Sequence, residues 1–419
     1  MNNPSQRLML THFGHRRLLA LREARVPHDE DSMLLAEMAE QGVLDEKWTE
    51  QVERLIACGW VARAQPECSA QDALLRYKRN PLEHVERINF EVTTQCNFNC
   101  LHCRNGDVKV TREKDMLSLE DAGRLFLTLG MRCFDFIGGE VTRYGNGWLA
   151  LAQALRRYDQ TLGWPDPLAV TVITNGWWLG ERDFTAAGQK YSGEAEYLAD
   201  LKAHGVTHIL FSIDGPPQRH DEWRGHPGLF NRILKGIPRV KAAGLAPRLS
   251  IITRGRESDE YLRPLTNAIY DEWVDTLDAF AGDEMNLVSN FIDCGRAADN
   301  LRQGKHTLAE LKPEMIRCKA FFRPYPTLRI MADGSLGICP LMLGEEGYGN
   351  IHDLPLMDIL SRLDEAPLYR LHAEGEIGRY LEKINPDVFA KGFDHLCAVR
   401  IIINRRALSD LGISVGVPD

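Results

Sequence analysis

Through the middle of the chain, short apolar runs alternate with stretches whose apolar positions recur at helical spacing. The runs are Ile88–Val92, Cys133–Ile137, Ala169–Thr174, His208–Ile213, Leu249–Thr253 and Met285–Phe291. Their length and their β-branched and aromatic content predict strands. Helical patterns lie between them, the first opened by Ser118 with Asp121 three residues on, a variant capping box. Strand and helix in strict alternation predict parallel βαβ units, so the fold class is α/β. Active groups then belong at the C-terminal ends of the strands.

The flanks read differently. Leu8 to Arg25 predicts a basic, Leu-rich helix. Asp31-Ser32 predicts a cap for a second helix, Met33 to Gln41, and Asp45 one for a third, Glu46 to Cys58. Gly59 stops that helix before a β-like Trp60-Val61-Ala62. Residues 1–85 therefore read as a small α+β, winged-helix-like module, with a plain helical cap as the competing reading. Beyond Phe291 the βα rhythm ends. There Asp333-Gly334 sits between two alternating apolar runs and predicts a hairpin. The expected division is 1–85, 86–292 and 293–419.

A chain of 419 residues that is 44% hydrophobic can bury the cores of two or three domains. Its net charge of −9 argues against general attraction to nucleic acid or an anionic membrane. No apolar run has bilayer-spanning length and the N-terminus lacks a signal-peptide core, so a cytoplasmic location is expected. Ten cysteines in a reducing compartment point to metal ligation or chemistry rather than disulfides. Cys58 and Cys133 fall in apolar elements and read as packed core thiols, and Cys68 as a bystander.

Cys96, Cys100 and Cys103 follow the first strand of the alternating region, with three and then two residues between them. Thiolates this close on a loop can wrap one face of a four-iron cluster and leave one iron without a protein ligand. A closed zinc site needs four ligands. No fourth Cys lies nearby, and His102 is wedged between Cys100 and Cys103.

The spacing resembles the signature of the radical S-adenosylmethionine (SAM) superfamily, and the likeness continues for most of the chain. It implies a partial (β/α)6 barrel. It also implies a [4Fe-4S] cluster whose open iron binds SAM, and a 5′-deoxyadenosyl radical that removes a hydrogen atom from substrate. His102 stands where that family commonly has an aromatic residue. Gly138-Gly139-Glu140 after the second strand resembles the family's GGE, and Thr174-Asn175-Gly176 after the third its TNG. The first would let main-chain groups reach the SAM amino group, the second hydrogen-bond its ribose or carboxylate; each is also an ordinary turn sequence. Ser212-Ile213-Asp214-Gly215-Pro216, followed by His220-Asp221 and Arg224-Gly225, resembles a segment of the peptide- and protein-modifying branch. The resemblance places Ser212 and Asp214 against SAM and Arg224 against a carboxylate. A turn cap and a surface ion pair are the structural alternatives.

Cys318, Gly334 and Cys339, with fifteen and then four residues between them, resemble the opening of SPASM and Twitch extensions. Only Cys397 follows, so the likeness implies a Twitch-like C-terminal domain with one auxiliary iron–sulfur cluster on Cys318, Cys339 and Cys397. Cys294 reads as a further ligand, a hydrogen donor to a substrate radical, or a bystander. Pro340 stands where sulfatase-maturing relatives carry a base, leaving Asp283, Glu284 and Asp293 as candidates. The implied substrate is a ribosomally made precursor peptide gripped by residues 1–85, modified by cross-linking, thioether formation or epimerisation. The implied electron donor is a flavodoxin or ferredoxin. The alternatives are a dehydrogenase or epimerase of a small molecule such as an aminocyclitol or sugar, and an iron–sulfur scaffold or sensor without SAM chemistry.

Overall fold

The computed structural model describes residues 8–10, 12–22, 29–41, 49–57, 60–63, 85, 87–103, 116–164, 167–253, 259–270, 287–290, 327–337, 348–361 and 377–384. Cys58, Cys68, Cys294, Cys318, Cys339 and Cys397 lie outside these residues, as do Asp283, Glu284 and Asp293.

At the N-terminal end, the described segments are β1 (Leu8–Leu10), helices His12–Arg22, Glu30–Gln41 and Thr49–Ala57, and β2 (Val61–Arg63). The continuous helix expected from Leu8 is replaced at its start by a strand. Leu8, Met9 and Leu10 pair antiparallel with Arg63, Ala62 and Val61, so the β-like segment after the third helix supplies their hydrogen-bond partners. The second helix also begins earlier than expected. Asp29, not Asp31-Ser32, caps it: its carboxylate accepts the Ser32 N–H at 2.7 Å.

Six parallel strands form the frame: β3 (Arg87–Thr93), β4 (Cys133–Gly138), β5 (Ala169–Thr174), β8 (His208–Ile213), β9 (Ala246–Thr253) and β10 (Leu287–Asn290). A hairpin of β6 (Arg182–Ala186) and β7 (Gln189–Gly193) is inserted after β5. The main sheet runs β10-β9-β8-β5-β4-β3 and continues into β11 (Thr327–Ile330) and β12 (Leu336–Gly337). Each of the six strands therefore lies beside its successor, the winding of a barrel rather than of a doubly wound sheet. Helix Met116–Thr128 starts before Ser118, which sits inside its first turn instead of capping it.

The Asp333-Gly334 turn joins β11 (Thr327–Ile330) to β12 (Leu336–Gly337), with Gly334 at φ +86°. β11 also pairs in parallel with β3, Thr327 opposite Arg87 and Ile330 opposite Phe90. That pairing covers a β3 edge that would otherwise present unpaired backbone groups.

Helices bury one face of the sheet. Phe90 lies 5.9 Å from both Phe134 and Phe136, and Phe136 lies 5.4 Å from Trp148. The N-terminal helices dock on this body through Arg17. Its guanidinium donates to Ser32 Oγ at 3.0 Å, to the Thr128 carbonyl at 3.0 Å and to Asp29 at 2.9 Å. It also sits about 5 Å from the Trp60 and Trp164 rings. A buried charge held by this many partners is costly to delete. Arg17→Ala should weaken the docking of the first two helices by about 2 kcal/mol or more. Their amide hydrogens should then exchange more than about tenfold faster, with β5 and β8 unaffected. Unchanged exchange in those helices would show that Arg17 does not hold the junction.

Candidate active site

The three thiols lie at the C-terminal edge of the sheet, on the loop that leaves β3. Cys96 is exposed, Cys103 half-buried and Cys100 buried, and none is in a disulfide. Backbone bonds stitch the root of this loop to the end of β4. Gly139 N–H donates to the Thr93 carbonyl and Glu140 N–H to the Gln95 carbonyl, both at 2.8 Å. The glycine pair permits that approach: a Cβ on Gly138 would lie 2.1 Å from Thr93 O, and one on Gly139 2.2 Å from Gln95 O. The close contact of Gly138 and Gly139 is thus with the chain's own loop.

Glu140 is 1% exposed and faces inward. Its carboxylate accepts from Asn175 N–H at 2.7 Å, Thr174 Oγ1 at 2.9 Å, Thr142 N–H at 3.2 Å and the Thr142 hydroxyl. Burial pushes its pKa up, against the pull of these four donors. Asn175 passes the connection on: its amide donates to Asn97 Oδ1 of the thiol loop at 3.1 Å, and its Oδ1 accepts the Trp177 N–H at 2.9 Å. Glu140 and the Thr174-Asn175 pair, separate in sequence, form one hydrogen-bonded knot beside Cys96.

A second buried carboxylate holds the far side of the loop. Asp214 is fully buried and forms a two-pronged pair with Arg224, Nε to Oδ2 at 2.5 Å and Nη2 to Oδ1 at 3.1 Å. His102 Nε2 lies 3.2 Å from Oδ1. Burial alone would raise the Asp214 carboxyl, but Arg224 and then His102 override it and hold it well below the usual carboxylate range. Arg224 thus pairs with a carboxylate of its own chain, in a buried rather than a surface ion pair. The Asp214 carboxylate is engaged by Arg224 and His102. Ser212, on β8 opposite Ser250, is half-buried.

Helix Pro217–Arg224 completes the cradle. Its Trp223 carbonyl accepts the Leu101 N–H at 2.8 Å, and the Trp223 ring lies 5.3 Å from His102. Beyond it His226 stacks on Phe98 at 3.6 Å. Thr142, Trp177, Trp223 and His226 were not singled out in the sequence. Of these, Trp223 and His226 flank the quoted Arg224-Gly225, so that motif was their available signal.

The donor set fits an iron–sulfur cluster. Among the described residues, no three His, Cys, Asp or Glu side chains group as they would around a single metal ion. Three free thiols on one loop are the donor chemistry that an iron–sulfur cluster takes. His102 Nδ1 is buried without a partner, close to two of the thiols in the chain. Loss of surrounding water, and then the Glu140 charge, push the Cys96 thiol up to about 12 even though the residue is exposed at the rim. Metal binding would therefore have to displace its proton.

The family model of the Radical SAM superfamily matches residues 90–269, the stretch that carries the thiol loop and both carboxylate knots. The matched stretch is similar to that family and makes up less than half of the chain. Among curated proteins, the chain is 30% identical over 184 residues to GTP 3′,8-cyclase of Rhodopseudomonas palustris (strain TIE-1), covering 42% of this chain and 47% of that protein. It is 28% identical over 179 residues to AdoMet-dependent heme synthase of Methanosarcina barkeri, covering 41% and 44%. The chain thus spans about half the length of the curated relatives it matches. Among solved structures, SuiB of Streptococcus suis is similar at a TM-score of 0.48 and 14% identity, over 88% of this chain and 89% of that one.

Within residues 90–269, His220 is fully buried, and its Nδ1 accepts the Asp214 N–H at 3.2 Å. Burial, and then Arg224, lower its pKa from 6.5 to about 3. As pH falls, the unfolded chain takes up this proton first, so stability is lost from about pH 6.5 downward, by up to about 1.4 kcal/mol per pH unit. His220→Gln should flatten that part of the stability–pH curve, measured by urea unfolding at about pH 7 and about pH 4.5. An unaltered slope in the variant would show that His220 is not kept neutral by the fold.

Proposed function

We propose that this chain is a radical SAM enzyme that modifies a ribosomally made peptide. The observation that carries the enzymatic part is the presentation of three thiols on one loop at the strand ends, each side of the loop tied to a buried carboxylate. Cys96, Cys100 and Cys103 would hold a [4Fe-4S] cluster. When bound, the cluster and SAM supply a one-electron cleavage that ends in removal of a hydrogen atom from substrate.

The chain's own part is to position. Glu140 and Asp214 act as positioning residues: the first locks the β4 and β5 loops to Asn97, the second locks His102 from beneath. Gly138, Gly139 and Ser212 lie at or near the strand ends, where SAM would lie. The peptide reading is supported by the N-terminal helices and by the short β1–β2 pair, whose strands resemble the edge to which a leader peptide can add. One auxiliary cluster on Cys318, Cys339 and Cys397, with Cys294 as further ligand or hydrogen donor, belongs to the same reading. So does a flavodoxin or ferredoxin as reductant. Among the described residues, no helix is long and apolar enough to cross a membrane.

A second reading has its own support. The curated relatives named above, GTP 3′,8-cyclase and AdoMet-dependent heme synthase, bear names that specify no peptide. A small-molecule substrate would fit that likeness. Mass spectrometry of a precursor peptide co-expressed with this chain separates the two, because only the peptide reading predicts a changed mass or solvent deuterium in the peptide.

Cys96→Ala, Cys100→Ala and Cys103→Ala should each lose about four irons per chain after anaerobic reconstitution. With dithionite and SAM, wild type should yield 5′-deoxyadenosine and none of the three variants should. Turnover by any of them would remove the basis of the proposal.

A further inference from the structure

The two faces of the main sheet differ in character. Along β9, Leu249 and Ile251 are wholly buried in the helix-covered core, whereas Arg248 and Ser250 alternate with them and are half-buried. Arg248 therefore projects from the concave face, the inside of the partial barrel. The register sets it opposite Leu210, with Ser212 opposite Ser250 one pair nearer the strand ends. Arg248 thus lies about 7 Å below the level of Ser212, two residues before the Asp214 that underlies the thiol loop.

Three other charged residues on this face have partners. Arg87 pairs with Asp135 at 3.0 Å, and Glu91 accepts the Ala332 N–H at 3.3 Å. Arg248 differs. Its Nη1 donates to the Pro247 carbonyl at 3.1 Å, its Nε is buried without a partner, and no carboxylate among the described residues lies in ion-pair range. A guanidinium cannot shed its proton to escape this cost. Its fork of donors matches a carboxylate or a phosphate. One row deeper, Asn89 and Asp135 stand opposite each other, each with a buried oxygen that lacks a donor.

We infer that Arg248 anchors an anionic group of the substrate, a carboxylate or a phosphate, inside the barrel; the word substrate rests on the radical SAM reading above. The anchor would hold the substrate by its charged end while the reacting carbon stays at the strand ends. The group is required to be polar and acidic, which excludes a purely apolar occupant of this face.

Phenylglyoxal labelling of the full-length, cluster-loaded protein, read residue by residue by mass spectrometry, tests the site with two probes. Pyrophosphate stands for a phosphate and N-acetylglutamate for a carboxylate. Arg248 should be labelled in the free protein and shielded by at least one probe, the effective one naming the anion's source. Affinity for that probe should fall at least about tenfold in Arg248→Gln and less in Arg248→Lys, which keeps the charge without the fork. Failure of both probes to shield Arg248 overturns the inference, as does wild-type affinity in Arg248→Gln. It is also overturned if Arg248→Gln weakens SAM binding while leaving the probe's affinity intact, since Arg248 would then serve the cofactor. Formation of 5′-deoxyadenosine by the same wild-type preparation decides the parent reading separately. Shielding without any SAM cleavage would leave the anion site standing and remove its link to radical chemistry.

Discussion

The thiol loop depends on a buried ion pair. Asp214 and Arg224 meet with two contacts in the interior, and such a pair resists disruption because removing one partner strands the other, at a cost of about 3–5 kcal/mol. Here the pair also reaches His102, the residue between the second and third thiols that could otherwise compete as a metal ligand. With Nε2 turned to Asp214, the imidazole is oriented by the fold rather than by whatever the loop binds. The Trp223 carbonyl, one residue before Arg224, takes the neighbouring Leu101 N–H, so side chain and backbone are fixed from the same helix.

Glu140 does the corresponding job on the other flank. Four donors converge on its carboxylate from the segments after β4 and β5, and Asn175 carries the restraint on to Asn97. The two carboxylates serve the site without being offered to solvent. They are the supporting layer that a loop needs if its ligands are to sit within a fraction of an ångström of productive geometry. The inserted β6–β7 hairpin adds to this layer. Ala187 N–H donates to the Thr142 carbonyl at 3.0 Å, and Phe184 packs edge-on against Trp177, whose indole N–H donates to the Thr142 hydroxyl.

Much of this arrangement was legible from residue order, and the reasons differ by element. The six parallel strands were readable because each falls on a short apolar run of the sequence, and β5 and β8 match those runs residue for residue. The β1–β2 and β11–β3 pairings were not, since they join segments far apart in sequence and no local pattern encodes a partner. Helix starts at Glu30 and before Ser118 escaped because several capping residues compete within one turn. At the site, Gly139, Glu140, Asn175, Asp214 and Arg224 were found by motif, but motif spacing does not say which way a side chain faces. Glu140 and Asp214 face the protein. Arg248 had no motif at all; only the alternation of burial along β9 sets it apart.

The central claim is that three thiolates alone hold the cluster and that the remaining iron is left for SAM. Because His102 Nδ1 is buried without a partner, the imidazole is the rival that must be tested directly. Pulsed electron paramagnetic resonance on the reduced, reconstituted protein can do so with isotopically labelled nitrogen, placed first in SAM and then in histidine. The account predicts that labelling the SAM amino group alters the nitrogen coupling at the cluster and that labelling histidine leaves it unchanged. A directly coordinated histidine nitrogen, with a spectrum indifferent to SAM, would contradict it.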